Sequence, residues 1–241
     1  MPNWLNTVEV PLMVSYPRLR RRAKRDLPRA KAAWVLDSGG YSELSLHGAW
    51  QISPQQYVAD VRRYVDQVGM LQWAAVQDYM CEPWILEKTG LDILEHQYRS
   101  VVSYLDLRLR LPEMTWCPVL QGWETDDYLR HRDMFERAGV ALASLPVVGV
   151  GSVCRRQGVR GAIDTLVRLT LDGLQLHGFG LKTTALTSLA PYLASADSMA
   201  WSYAARKRGY RCPNGTACNN HLHWALEWRQ EVLDSYDGQR S

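Results

Sequence analysis

Six short segments of this chain hold side chains and backbone that chemistry can use, and each follows directly on an apolar run. They are Asp37-Ser38-Gly39-Gly40-Tyr41, Gln77-Asp78, Gln121-Gly122, Gly149-Val150-Gly151, His177-Gly178-Phe179-Gly180 and Asp197-Ser198. One acid after an apolar run is commonly a loop residue or a helix cap. Three acids, a glutamine and repeated glycine pairs in that same position point instead to one shared site. Carboxylates gathered in one site can divide labour, one as nucleophile and another as carrier of a proton.

The elements that must position these residues follow from periodicity. Apolar runs at Pro11–Ser15, Ala32–Asp37, Leu71–Gln77, Thr115–Leu120, Ala143–Val150, Leu174–Phe179 and Leu193–Ala196 read as strands. Between them lie helical patterns: a helix capped by Ser53-Pro54, then about Leu91–Leu109, Asp126–Ala138, Arg156–Leu171 and Thr183–Tyr192. In the first of these helices Tyr57, Val58, Val61, Tyr64, Val65 and Val68 repeat at helical spacing, so they form its apolar face. Strands alternating with helices imply parallel pairing through crossover helices. The expectation is a single α/β domain over residues 1–241, a (β/α)8 TIM-like barrel with active residues at the C-terminal strand ends. A doubly wound open sheet is the alternative.

The net charge of +3 is mild, but it is unevenly spread. Arg18, Arg20, Arg21, Arg22, Lys24, Arg25, Arg29 and Lys31 precede the Asp37 segment, and Arg206, Lys207, Arg208 and Arg211 follow the Asp197 segment. These clusters are either solvated faces or contacts to a phosphate backbone. The N-terminus lacks the pattern of a secretory signal, and no apolar stretch reaches the length of a membrane span. Five cysteines, an odd number, do not read as a disulfide framework, so a reducing, cytoplasmic setting is expected. His47, His96 and His131 stand apart from every segment named above.

The quoted segments resemble the tRNA-guanine transglycosylase superfamily, whose signature is Asp-Ser-Gly-Gly-Phe/Tyr. The wording LDSGGYSEL, QDYMCEP, VGVGSVCR and ADSMAWSYAAR is most similar to its DNA-acting branch, the deoxypurine-in-DNA protein A family of phages and bacteria. The resemblance implies an enzyme that exchanges guanine in DNA for a 7-deazaguanine, such as the free base 7-cyano-7-deazaguanine. It implies Asp197 as nucleophile at the sugar C1′ and Asp37 as general acid/base. Ser38, Asp78, Gln121 and the Gly149–Gly151 turn match base-holding positions, with Gly39 and Gly40 in the signature turn and Tyr41 as the stacking ring. His177 is either a proton carrier beside the base or a packed loop histidine. Cleavage at an anomeric carbon through a covalent intermediate needs two such carboxylates. A base must also leave the duplex stack to be reached. Arg21, Arg22, Arg206, Lys207 and Arg208 are the expected contacts to DNA. A homodimer or accessory proteins are possible partners.

Cys212, Cys218, His221 and His223 lie where the tRNA enzymes carry a structural zinc, built there from three cysteines and a histidine. The expectation is a zinc-binding appendage within residues 205–235, followed by a C-terminal helix; thiolate and imidazole ligands suit Zn2+. The alternative is a Pro-Asn-Gly turn with incidental cysteines. Three other functions compete: exchange in tRNA, a metal-dependent barrel hydrolase, and a non-enzymatic nucleic-acid-binding module. The last leaves the clustered acids unexplained, because they repel phosphates.

Overall fold

A computed structural model of the protein describes residues 4–22, 26–152, 159–209, 211 and 219–237. Strands β1 (Leu12–Ser15), β2 (Trp34–Asp37), β3 (Leu71–Ala75) and β4 (Trp116–Cys117) form one parallel sheet in that order. Strands β5 (Val119–Leu120), β6 (Val148–Val150), β7 (Leu176–Gly178) and β8 (Ser195–Ala196) form a second, also parallel. β4 and β5 are two parts of one extended segment, 116–120, interrupted at Pro118, which has no N–H to give to a ladder. On one side Cys117 accepts from the Val76 N–H at 3.2 Å, and on the other Pro118 accepts from the Gly149 N–H at 2.8 Å. The two sheets are thus joined through a shared strand.

The order is sequential, as in a barrel, and lacks the reversal of a doubly wound sheet. The expected closed (β/α)8 barrel, however, is not what the described residues form, since no backbone pairing among them joins β8 to β1. The reason lies at both edges. β8 is two exposed residues long and pairs with β7, and on its other side the indoles of Trp4 and Trp201 pack with ring centroids 5.6 Å apart and line the same cavity as β8. A cavity of about 680 Å³ separates the edges, walled by Leu12, Met13, Ser195, Trp201 and Leu226.

The helices cover the faces as parallel strands require. They are α1 (Tyr16–Arg20), α2 (Gly40–His47), α3 (Pro54–Gln67), α4 (Pro83–Thr89), α5 (Ile93–Arg110), α6 (Thr125–Arg137), α7 (Val159–Leu171), α8 (Thr183–Leu189), α9 (Ala200–Lys207) and α10 (Leu222–Asp237). α3 starts where expected, with the Ser53 hydroxyl accepting from the Gln56 N–H at 3.2 Å. It buries Tyr57, Val58, Val61 and Tyr64, whereas Val65, expected on that face, is exposed. Only Val148–Val150 of the expected strand Ala143–Val150 is extended; Leu142–Ser144 is a single 3-10 turn. The main core cluster has Val14, Leu36, Ala74, Cys117, Leu120 and Val148 fully buried, and Leu44, Met80 and Ile85 form a second, smaller one. No helix among the described residues is long and apolar enough to cross a membrane.

Candidate active site

Each apolar strand delivers its following residue to the same end of the sheet. A cavity of about 170 Å³ there is lined by Asp37, Gly40, Tyr41, Asp78, Gln121, Gly151 and Asp197. These are seven of the residues singled out from sequence, brought together from the ends of β2, β3, β5, β6 and β8. Its volume is below the roughly 300–1,000 Å³ of drug-sized sites. Ser38, Gly39, Gly149 and His177 stand behind its wall.

The wall is held by a chain of hydrogen bonds. The Ser38 hydroxyl donates to Asp78 Oδ1 at 3.2 Å, and Gln121 Nε2 donates to Asp78 Oδ2 at 2.6 Å. The Ser152 hydroxyl donates to Gln121 Oε1 at 2.9 Å. Behind Gln121, its backbone N–H donates to His131 Nδ1 at 2.9 Å, while Gln97 Nε2 donates to its carbonyl at 2.7 Å. Burial pushes His131 down to about 3, so it stays a neutral acceptor. A histidine that looked isolated in sequence therefore supports the site from one layer back. Gly151 must be glycine, because a Cβ there would lie 2.2 Å from Gln121 Nε2. Gly39 must be as well, with φ of +80° and Pro17 2.5 Å from where its Cβ would stand.

The carboxylates differ in environment. Burial, with the nearby charge of Asp197 adding to it, raises Asp37 from its ordinary value to about 6. The Gly39 N–H at 3.1 Å, the Ser15 hydroxyl and His177 oppose that rise. Asp37 nevertheless keeps a strip of surface on the cavity. Burial raises Asp78 to about 7 with Asp37 adding to it, against the hydrogen bonds from Gln121 and Ser38. Asp197 is 22% exposed; its Oδ1 accepts from the Gly180 N–H at 2.9 Å and faces His177 Nε2 at 3.5 Å. Among the described residues its Oδ2 takes no hydrogen bond. His177 is itself fixed, with Nδ1 2.8 Å from the Ser195 hydroxyl and its ring edge-on to Trp73 and Phe179.

Phe179 and Gly180 of the fifth segment also line the cavity, and residues not singled out from sequence complete it: Met13, Met80, Glu82 and Ser152. Ser15, bonded to Asp37, closes β1 just as Asp37 closes β2, so the strand-end rule already contained it. Tyr41 stands on the rim, 43% exposed. Arg21 and Arg22 follow α1, directly beyond Ser15. Arg206, Lys207 and Arg208 are exposed at the far end of α9 and line neither this cavity nor a groove next to it. Cys212 and Cys218 lie outside the described residues. His221 and His223 lie at the start of α10, their ring centroids 5.8 Å apart. No group of three or more metal-ligating side chains converges among the described residues.

The parallel strands thus bring three aspartates, an amide and a glycine turn to one small cavity, as the strand ends of an α/β enzyme do. The family model described as DeoxyPurine in DNA protein A matches residues 1–240, and the chain belongs to that family. Its polymer is DNA, and its class is that of DNA-modifying enzymes of transglycosylase type. No curated protein was found to match the chain.

Proposed function

We propose that the enzyme exchanges guanine in DNA for a 7-deazaguanine such as 7-cyano-7-deazaguanine. The observation that carries this reading is Asp197, which lines a cavity with Asp37 and Asp78 and is held through Oδ1 by the Gly180 N–H, while its Oδ2 takes no hydrogen bond among the described residues. Asp197 Oδ2 attacks C1′ of a flipped deoxyguanosine. The C1′–N9 bond breaks, its electron pair leaves with the guanine, and Asp37 supplies the proton that guanine takes up. The incoming base then gives its N9 proton back to Asp37 and attacks C1′ from the face the guanine left. The C1′–Oδ2 bond breaks, and two inversions restore the original anomer.

Asp37, held near 6, suits a group that gives and takes a proton near neutrality. Asp78 and Gln121 offer acceptor and donor atoms for the edge of the base, and Tyr41 a ring for its face. The test is incorporation of labelled 7-cyano-7-deazaguanine into a guanine-containing oligodeoxynucleotide and into tRNA, side by side. Label entering DNA with loss of one guanine per label is expected; label entering only tRNA, or neither, overturns the reading. A structural zinc at Cys212, Cys218, His221 and His223 belongs to the same proposal, and about one zinc per purified chain is expected. Metal-free protein of equal stability contradicts it.

A further inference from the structure

We infer that the groove between α1 and α2 is the track of the DNA backbone, and that Arg18, Arg20 and Arg21 hold phosphates next to the target nucleotide. DNA as the polymer comes from the family; that the target nucleotide sits at Asp37 rests on the proposed exchange. The groove measures about 510 Å³, and Ser15, Arg18, Arg20, Arg21, Ser42 and His47 line it. It begins at Ser15, whose hydroxyl bonds Asp37, and passes Ser42, the neighbour of Tyr41 on the cavity rim. Groove and cavity are thus adjacent along the surface.

The charge on this wall is uncompensated. α1 turns Tyr16 and Leu19 into the core, where the Tyr16 hydroxyl donates to Asp60 at 2.7 Å, and so leaves Arg18, Arg20 and Arg21 exposed. None of the three has a carboxylate partner among the described residues. Elsewhere the pattern is opposite: Arg99 pairs with Glu95 at 2.6 Å, Arg110 with Asp106 at 2.8 Å and Arg130 with Asp127 at 2.5 Å. Glu43 is the carboxylate on the groove wall, but it is buried and accepts from the Gln51 N–H at 2.9 Å. Exposed guanidinium groups without acids beside them suit phosphate, which they bind with two parallel N–H donors. Pro17 of α1 stands against the Gly39 turn, so the arginine-bearing segment and the turn that carries Asp37 pack as one unit. A backbone gripped on α1 is thereby placed in register with the cavity.

The experiment is DNA binding by fluorescence anisotropy over a salt series from about 50 to about 200 mM, with full-length protein. Each phosphate contact contributes about 0.7–0.9 to the log–log slope, so the R18A/R20A/R21A variant should lower that slope by about 2–3. The R18K/R20K/R21K variant, which keeps the charges, should restore most of it. Arg62→Ala, remote from the groove, should leave it unchanged. The single variants R18Q and R21Q, each lowering the slope by about 0.7–0.9, carry the test should the triple alanine variant not fold. An unchanged slope in the triple or single variants, or an equal fall in Arg62→Ala, overturns the assignment. Binding is read without turnover, so failure of base exchange leaves this result standing, and the reverse holds too.

Discussion

Asp78 and Asp197 occupy the same kind of position, each just past a strand and facing one cavity, yet they are built differently. Asp78 follows β3, which has a neighbour on either side, and its carboxylate is buried with Ser38 and Gln121 both donating to it. Asp197 follows β8 at the open edge, is 22% exposed and takes one backbone donor. Position in the sheet sets the contrast: an interior strand ends among protein groups, an edge strand ends near water. A dry carboxyl resists ionisation and holds a proton, whereas a wetter one with an uncommitted oxygen is available to attack. Asp37, raised to about 6 chiefly by burial, is given the proton-carrying part in the proposed exchange.

The sharpest kinetic way to break this division is Asp37→Asn. Loss of the proton carrier should lower exchange by about 10²–10⁴-fold and remove the limb of the pH profile that falls near pH 6. Steady-state rates across pH check this, and a wild-type profile in the variant would merge the two roles that the geometry separates.

A smaller effect sharpens the other side. Folding raises Asp78 from 3.8 to about 7, so the native state favours its protonated form. The stability it contributes is fully present below its unfolded value and is lost as pH rises through about 7. Asp78→Asn imitates the protonated form, so above neutrality it should gain about 1–2 kcal/mol, or a few degrees in Tm. Its Tm should then fall less than wild type between about pH 4 and about pH 8. Identical pH dependence of Tm in both proteins contradicts the buried, proton-holding description.

Much of this site could be read from sequence because a polar residue after an apolar run marks a strand end. That rule placed Asp37, Asp78, Gln121, Gly151 and Asp197, and applied once more it reaches Ser15. The sequence marked the last strand at Leu193–Ala196 but not that its paired part is two residues long, and closure, which depends on backbone pairing between the two edge strands, has no side-chain pattern of its own. The expected zinc ligands Cys212 and Cys218 fall outside the described residues, so the structure leaves that part where the sequence put it. Helices α1, α2, α4 and α9, five to eight residues long, carry little helical period and were not read from the sequence, whereas α8, as short, was. Charge clusters told where arginines are many but not where they point: Arg18, Arg20 and Arg21 line the groove beside the site, and Arg206, Lys207 and Arg208 sit at the far end of α9. His131 was silent because its partner, the Gln121 backbone, is ten residues away and has no side-chain signature.

The central claim, that Asp197 forms a bond to the sugar, is tested most directly by trapping that bond. The protein is mixed with a guanine-containing oligodeoxynucleotide and no free base, quenched in denaturant, and measured as an intact mass. The account predicts an adduct equal to protein plus oligonucleotide less one guanine, mapping to Asp197 after digestion and absent from Asp197→Asn, which also loses exchange. An adduct mapping to Asp37 or Asp78, or undiminished exchange by Asp197→Asn, would contradict it.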